Sequence, residues 1–498
     1  MSQTVQDAVL TTSKRSSTAI PNPRRYFRKG IMAVSRLSLA FSETLHTTKH
    51  VAHVCLFITI VILFEVGALG LWGDPPASAS YPPLVTLLFQ VTRLLPLLAL
   101  PQALFNLLGL ICFNAFPERS KLKGSPLLAP FLCLRVVTRG DYPDLVRQNV
   151  NRNLTTCLRV GLEKFMIEVV TDKTIDLPEN QRIRQVVVPS SYRPKSGALF
   201  KARALQYCLE EDVNVLADTD WIVHLDEETL VTDAAIRGIL NFVIEGRHQF
   251  GQGLITYANE NIQNWFTTLA DSFRVSDDMG KLRFQFKVFH KPLFGWKGSY
   301  VVTQTGAERR VTFDHGPDGS VAEDNYFGMV AFKEGYSFDF IEGEMWEKSP
   351  FTIYDFLQQR KRWLQGILLV VHSPHIPIST KWLLAVSLYS WVTMPLALSS
   401  VVLSTIFPVP VPGLLNLVAA FVGGVNFYMY IFGVIKSFRV DRVGWMRMAM
   451  CMIGALITMP FNFLVENIAV LRGLVGNKHK FYIVNKLTGA PDNGVNTV

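Results

Sequence analysis

Asp226 and Glu228 follow the apolar run Trp221 to Leu225, and their spacing lets both side chains point to the same side of an extended chain. Two carboxylates placed in this way can share a hard divalent cation, Mn²⁺ or Mg²⁺, and such an ion would neutralise a diphosphate as it departs. The triplet Asp226-Glu227-Glu228 also fits the first turn of a helix, where acidic residues complement the dipole; the strand pattern before it favours the metal reading. Downstream, Glu323-Asp324 offers a second carboxylate pair. Asp324 could take the proton from an acceptor hydroxyl as that oxygen attacks carbon, with Glu323 beside it on the acceptor. Ser320 to Glu323 also matches a capping box, so a helix start is expected to mount the base. Further on, Gln359, Arg362 and Trp363 form a Q-x-x-R-W pattern at helical spacing and share one face. Arg362 can grip phosphate oxygens, Gln359 can bind a hydroxyl or phosphate, and Trp363 offers a flat apolar surface to a sugar ring. The same helix would also suit a membrane surface, with Phe351, Ile353, Phe356 and Leu357 inserted and Arg360 to Arg362 on headgroups.

Single residues add weaker candidates. Asp172 ends an apolar run and could bind a nucleotide base or ribose, or could serve as an ordinary turn residue. Lys195 with Gly197 opens a predicted helix where a phosphate or nucleotide could approach, although a plain loop explains the pair equally well. Trp296 and Gly298, in Gly295 to Ser299, suit an acceptor wall or a tight glycine turn. The sequon Asn153-Leu154-Thr155 falls inside the expected catalytic domain on the cytosolic side and is discounted.

These groups need a scaffold, and alternating strand and helix patterns between Ser120 and Ser379 supply one. Strands are expected at Phe131 to Val137, Phe165 to Val170, Gln185 to Val188 and Trp221 to Leu225, with helices over Asp144 to Leu162 and Lys195 to Glu211. The alternation implies an α/β domain with a mostly parallel sheet, whose ligands sit at the carboxyl ends of the strands. The whole chain is more apolar than a soluble protein: of 498 residues, 49% are hydrophobic and 18% charged, and mean hydropathy is positive. The net charge of +9 flanks apolar segments without any nucleic-acid-binding motif, which makes membrane lipid the expected partner and excludes nucleic acid. Six cysteines without C-x-x-C spacing support neither a zinc site nor a disulfide framework and fit a reducing compartment.

Five apolar stretches reach the ~20 residues that cross a bilayer. They run from about Val51 to Trp72, Pro83 to Phe113, Trp382 to Phe407, Val411 to Val434 and Met446 to Leu471. The first is no signal peptide, because a long basic arm precedes it. Basic flanks place that arm (1–50), the central region and Lys436, Arg439 and Arg442 in the cytosol. A fifth crossing would then put Arg472, Lys478 and Lys480 on the wrong side, so either that stretch is a re-entrant or broken segment that returns at Met459-Pro460, the favoured expectation, or the tail is an exception to the rule. The chain divides into the arm, two membrane helices (51–116), a catalytic domain (117–350), an interfacial region with Q-x-x-R-W (351–380), a membrane block (381–472) and a polar tail (473–498).

Taken in order, Asp172, Lys195 with Gly197, Asp226-Glu227-Glu228, Glu323-Asp324 and Gln359-x-x-Arg362-Trp363 resemble the inverting family 2 membrane glycosyltransferases, with Glu228 standing where that family's second Asp of D-x-D falls. The resemblance implies a glycosyltransferase-A-like, Rossmann-type domain facing the cytosol between N- and C-terminal transmembrane helices, with a nucleotide-sugar donor and a divalent cation. The blocks His224 to Thr229, Gly316 to Asp324, Glu347 to Phe351 and Gln358 to Gly366 are similar to the egghead-type beta-1,4-mannosyltransferases. That likeness implies transfer of mannose from GDP-mannose to a glycolipid acceptor such as glucosylceramide, in the endoplasmic reticulum or Golgi. Alternatives are a processive polysaccharide synthase, glucosyl transfer from UDP-glucose in the manner of glucosylceramide synthase, and a non-enzymatic membrane scaffold.

Overall fold

The computed structural model describes residues 23–71, 81–117, 120–407, 412–479, 481, 482, 484 and 486, with the backbone alone for 23–43, 70, 71, 401, 404 and 405. Lys14 and Arg15 of the basic arm, the loop 73–80, Arg119, most of the connection after Phe407 and Lys480 lie outside the described residues.

Seven strands form one sheet: β1 (Leu132–Thr138), β2 (Phe165–Thr171), β3 (Ile183–Val187), β4 (Trp221–Asp226), β5 (Phe250–Thr256), β6 (Val301–Gln304) and β7 (Phe338–Trp346), in the order β3-β2-β1-β4-β6-β5-β7. All neighbours pair in parallel except those of β6, which runs against β4 and β5. The mostly parallel α/β expectation therefore holds. β1, β2 and β4 are near-continuous apolar runs because helices cover both of their faces. The expected strands begin and end within a few residues of the observed ones. The expected helix from Lys195 to Glu211 is shorter, Phe200–Tyr207, because Pro194 and the positive φ of Gly197 hold the preceding residues in a loop.

Register also builds a buried charged row. Arg184, Glu168, Arg135 and His224 are cross-strand neighbours on β3, β2, β1 and β4. Glu308, on the helix Thr305–Val311, completes the row: Arg135 contacts Glu168 at 2.7 Å and Glu308 at 3.2 Å, and His224 meets Glu308 at 2.6 Å.

Among the described residues, four helical stretches are long and apolar enough to cross a membrane (Thr44–Leu69, Pro83–Cys112, Gly413–Phe438 and Val440–Val475), or five if the bent pair Ile378–Val392 and Met394–Ser400 counts as one span. The last of these does not turn back at Met459-Pro460: Pro460 lies inside the helix, and the backbone breaks at Gly444, whose φ is 78°. Both ends of that helix touch the catalytic domain. Arg442 donates to the Asn259 carbonyl after β5, and the Gln365 amide donates to the Gly473, Gly476 and Asn477 carbonyls. The helix is thus tied to the loop after β5 at its start and to the helix Ile353–His372 at its end.

Candidate active site

A cavity of about 1130 Å³ opens at the carboxyl ends of the parallel strands. Asp226, the last residue of β4, receives a hydrogen bond from Lys201 Nζ at 2.5 Å. Lys201 stands in the first turn of the helix Phe200–Tyr207, also donates to the Gly298 carbonyl at 3.1 Å, and lies 3.7 Å from Glu323. The surrounding protein works against a charge on Asp226, but Lys201, with help from Lys486 and Arg362, outweighs it and holds the carboxyl below its usual range. Glu347, at the end of β7, accepts from Thr229 at 2.6 Å and Ser299 at 2.9 Å. Burial, together with the nearby Glu228 and Asp226 charges, pushes it up to about 7.

Glu323 and Asp324 open the helix Glu323–Lys333 on the facing wall. The expected capping box does not form: Ala322 is the cap residue, and the Ser320 hydroxyl donates to the Gly316 carbonyl while accepting from the Leu199 amide. Asp324 Oδ1 accepts from the Asn325 amide at 2.7 Å. Its other oxygen faces Gly298, where an added Cβ would stand 3.1 Å away. Gly298 thus leaves room in front of the carboxylate. Burial raises Asp324 above its ordinary range; Glu323 is pushed up to about 7, by burial first and then by the Asp324 charge.

The helix Ile353–His372 carries Gln359, Arg362 and Trp363 to the cavity wall, and the Thr352 hydroxyl caps its start by accepting from the Asp355 amide at 3.0 Å. Trp363 is held between the guanidinium groups of Arg274 and Arg360, 4.5 and 4.4 Å from its ring centre. Arg362 lies 4.4 Å over the Phe481 ring, and its Nε has no hydrogen-bond partner among the described residues. Arg360 does not face a surface, as a helix lying on headgroups would require; it is 4% exposed and pairs with Asp271 at 2.6 Å and Glu466 at 2.9 Å.

The remaining candidates are distributed unevenly. Asp172 lines the rim and is paired with Arg203. Lys195 and Gly197 are not part of the cavity wall: Lys195 is exposed, and the backbone amides of Ser196 and Ala198 are taken by Asp314. The lysine that reaches the site is Lys201, six residues on, where the helix actually begins. Trp296 touches the cavity but is 4% exposed, its ring packed among Phe250, Phe286 and Phe338. Asn153 of the sequon is 1% exposed and holds the Thr229 carbonyl and the Val231 amide, so it is a structural bracket.

Two contributions had no signal in the local sequence. Glu347 follows a strand without any recognisable catalytic motif of its own. The tail returns across the cavity mouth: Phe481 stacks on Phe200, Tyr482 donates to Asp355 at 2.8 Å, and Lys486 sits between Glu227, at 2.8 Å, and Glu228.

The carboxylates of Asp226 and Glu228 offer oxygen ligands alone, the set that hard Mg²⁺ and Mn²⁺ take, and the Lys486 ammonium already stands among the neighbouring acids as counter-charge. No group of three His, Cys, Asp or Glu residues able to hold a metal occurs among the described residues. A cation would thus rest on Asp226 and Glu228 and draw its other ligands from a diphosphate and water, a common arrangement for Mg²⁺. In this structure the Lys201 and Lys486 ammonium groups hold these two carboxylates, so the donor set suits such an ion once it takes their place.

A parallel sheet with acids at one strand end, a facing carboxylate pair and an Arg-Trp helix face defines a glycosyltransferase, and residues 221–459 match the family described as glycosyl transferase family group 2. The chain is 62% identical over 446 residues to the beta-1,4-mannosyltransferase egh of Drosophila melanogaster, covering 88% of this chain and 98% of that protein. It is 60% identical, with the same coverage, to the beta-1,4-mannosyltransferases bre-3 of Caenorhabditis elegans and Caenorhabditis briggsae. The chain belongs to this family of beta-1,4-mannosyltransferases, and is an inverting hexosyltransferase of glycosyltransferase-A-like α/β fold. Staphylococcus aureus TarS (residues 1–349) aligns over 72% of this chain and 98% of its own at 10% identity and a TM-score of 0.34, too remote to carry an argument.

Proposed function

We propose that this enzyme transfers mannose from GDP-mannose to the terminal sugar of a membrane glycolipid, glucosylceramide or a close analogue, in a single β-1,4 addition. The observation that carries this reading is the continuity of the cavity, which joins Asp226 and Asp324 to Ile367 and to Trp391 on the apolar helix Ile378–Val392. A lipid-anchored acceptor can approach along that path while a water-soluble donor enters above. In the proposed reaction the acceptor hydroxyl gives its proton to the free oxygen of Asp324, and its oxygen attacks the anomeric carbon. The bond from that carbon to the diphosphate breaks on the opposite side, so a β product requires an α-linked donor. Lys201 fixes Asp226 toward the donor, and Arg362 stabilises the departing phosphate charge. A divalent cation bound at Asp226 and Glu228 would supply further charge neutralisation for the diphosphate. The catalytic side, with the tail beside it, is assigned to the cytosol of the endoplasmic reticulum or Golgi on the strength of the basic flanks.

The test is a matrix of donors and acceptors with the purified protein in lipid, with and without Mn²⁺ or Mg²⁺. One mannose added to glucosylceramide from GDP-mannose is expected. Transfer from UDP-sugars alone, or a ladder of long products, would overturn the reading. Full activity in chelator would remove the cation from it.

A further inference from the structure

The cavity has a second charged region, set away from Asp226. It is built by the helix Trp265–Asp277 and the two π-helical turns that follow it, Asp278–Leu282 and Gln285–Phe289. π-helical turns are uncommon and gather at functional sites. Asp278 pairs with Lys297, Asp277 with Lys281 at 3.0 Å, and Asp271 with Arg360 at 2.6 Å. Arg274 lies between the rings of Tyr257 and Trp363, 4.8 and 4.5 Å from their centres.

Besides Asp271 Oδ2, three side chains lining this part of the cavity hold an atom with no hydrogen-bond partner among the described residues: Asp278 Oδ2, the Tyr257 hydroxyl and Asn325 Oδ1. They are 1%, 3% and 6% exposed. A buried polar atom whose hydrogen bond is unmade destabilises the fold, so such atoms gathered in one cavity call for a ligand that supplies the partners. Their position says which ligand. Asn325 follows Asp324 in sequence, and Lys297, the partner of Asp278, precedes Gly298, whose missing side chain opens the space before Asp324. Tyr257, Asp278 and Asn325 line the same cavity as Asp324 and Gly298.

We infer that Tyr257, Asp278 and Asn325 form a subsite for the terminal ring of a neutral glycoside acceptor. Asp278 Oδ2 and Asn325 Oδ1 accept hydrogen bonds from ring hydroxyls, and the Tyr257 hydroxyl exchanges one with a third. The charge balance selects a neutral ring over a lipid phosphate: Lys281, Lys297 and Arg360 are already matched by carboxylates, and Arg274 is held between two aromatic faces. The inference rests on the reading of a glycolipid acceptor given above.

The experiment measures KM for short-chain glucosylceramide and for GDP-mannose with the full-length enzyme in lipid, for wild type, Tyr257→Phe and Asp278→Asn, alongside transfer to a polyprenyl phosphate. Each variant is expected to raise the acceptor KM about tenfold, the equivalent of one lost hydrogen bond of about 1.4 kcal/mol, while the donor KM stays within about twofold. A deoxy acceptor lacking the hydroxyl read by Tyr257 should bind wild type and Tyr257→Phe equally, a result that a merely structural tyrosine would not give. Unchanged acceptor KM in Tyr257→Phe, which removes one oxygen and keeps the ring over Arg274, overturns the subsite alone. Preference of the wild type for the polyprenyl phosphate overturns the glycolipid reading and the subsite together.

Discussion

His224 and Asp226 stand two residues apart on β4 and point to the same side of the strand, yet they belong to opposite kinds of charge cluster. His224 joins the row under the sheet, where Arg135 binds Glu168 and Glu308, Arg184 binds Glu168 at 2.7 Å, and Glu308 also accepts from Thr303. Burial there would raise Glu308, but His224, Arg135 and Thr303 outweigh it and hold the carboxyl below its usual range. Asp226 joins the cavity, where Glu323 and Glu347 are pushed up to about 7 and several polar atoms wait without partners. One cluster is saturated and closed; the other is short of partners and open. A buried charge network marks a site when its groups are left unsatisfied, since closed networks mostly fix the fold.

The widest separation between the clusters should come from Asp324→Asn. Losing the base is expected to cut kcat by about 10²–10⁴-fold while the unfolding temperature stays near that of wild type, since a neutral amide relieves a raised carboxylate. Rates and thermal unfolding on one preparation check both halves. The converse is Arg135→Met, which leaves Glu168 and Glu308 buried without their shared cation. It should cost about 3–5 kcal/mol of stability in denaturant unfolding, with kcat per folded molecule retained. If Arg135→Met instead lowered kcat in a protein of normal stability, the closed row would be part of the site after all.

The pH profile separates the clusters next. Glu323 is pushed up to about 7 and Asp324 above its ordinary range, so in the folded protein they hold protons that free carboxyls would release, and the rate is expected to fall in acid as Asp324 takes up its proton above the ordinary carboxylate range. The slope is expected to approach tenfold per unit on that acid limb. For stability the signs oppose. The contribution of lowered Glu308 is present above its unfolded pKa and lost in acid as pH falls through its folded pKa; raised Glu323 and Glu347 favour the fold in acid and lose that contribution as pH rises through about 7. A rate that stays flat between pH 8 and 5 would remove the raised pair from catalysis.

The sequence made the strands and the open cluster partly visible because both depend on local pattern. Apolar runs mark β1, β2 and β4, and Asp226, Asp324 and Arg362 stand in short motifs of chemically suited residues. What stayed hidden depends on distance along the chain. Lys201 and Lys195 look alike until the helix start is known, and only its placement at Phe200 turns the second lysine toward Asp226. Glu347 needs β7 beside β5 to reach Ser299, and Arg135 against Glu308 needs a contact across 173 positions. The last long helix reads as a span from its apolarity, whereas the hydrogen bonds from Arg442 and Gln365 that tie its two ends come from or reach residues far away in the chain.

The smallest expected effect concerns the place where the open cluster has borrowed a counter-charge. Lys486 bonds to Glu227 and Glu228, and together with them completes an arrangement like the paired carboxylates of the closed row. Here, however, the cation comes from the tail, which can leave without unfolding a strand. A divalent ion at Asp226 and Glu228 has to compete with that ammonium for Glu228. In Lys486→Ala the competitor is gone and the acids repel one another more strongly. Mn²⁺ should then bind the donor-free enzyme about tenfold more tightly, given about 1.5 kcal/mol for a hydrogen bond to a charged group, as read by the free-ion signal in electron paramagnetic resonance. Weaker Mn²⁺ binding in that variant would mean that Lys486 organises the acids for the ion, and the tail would belong with the closed row as a fixed partner.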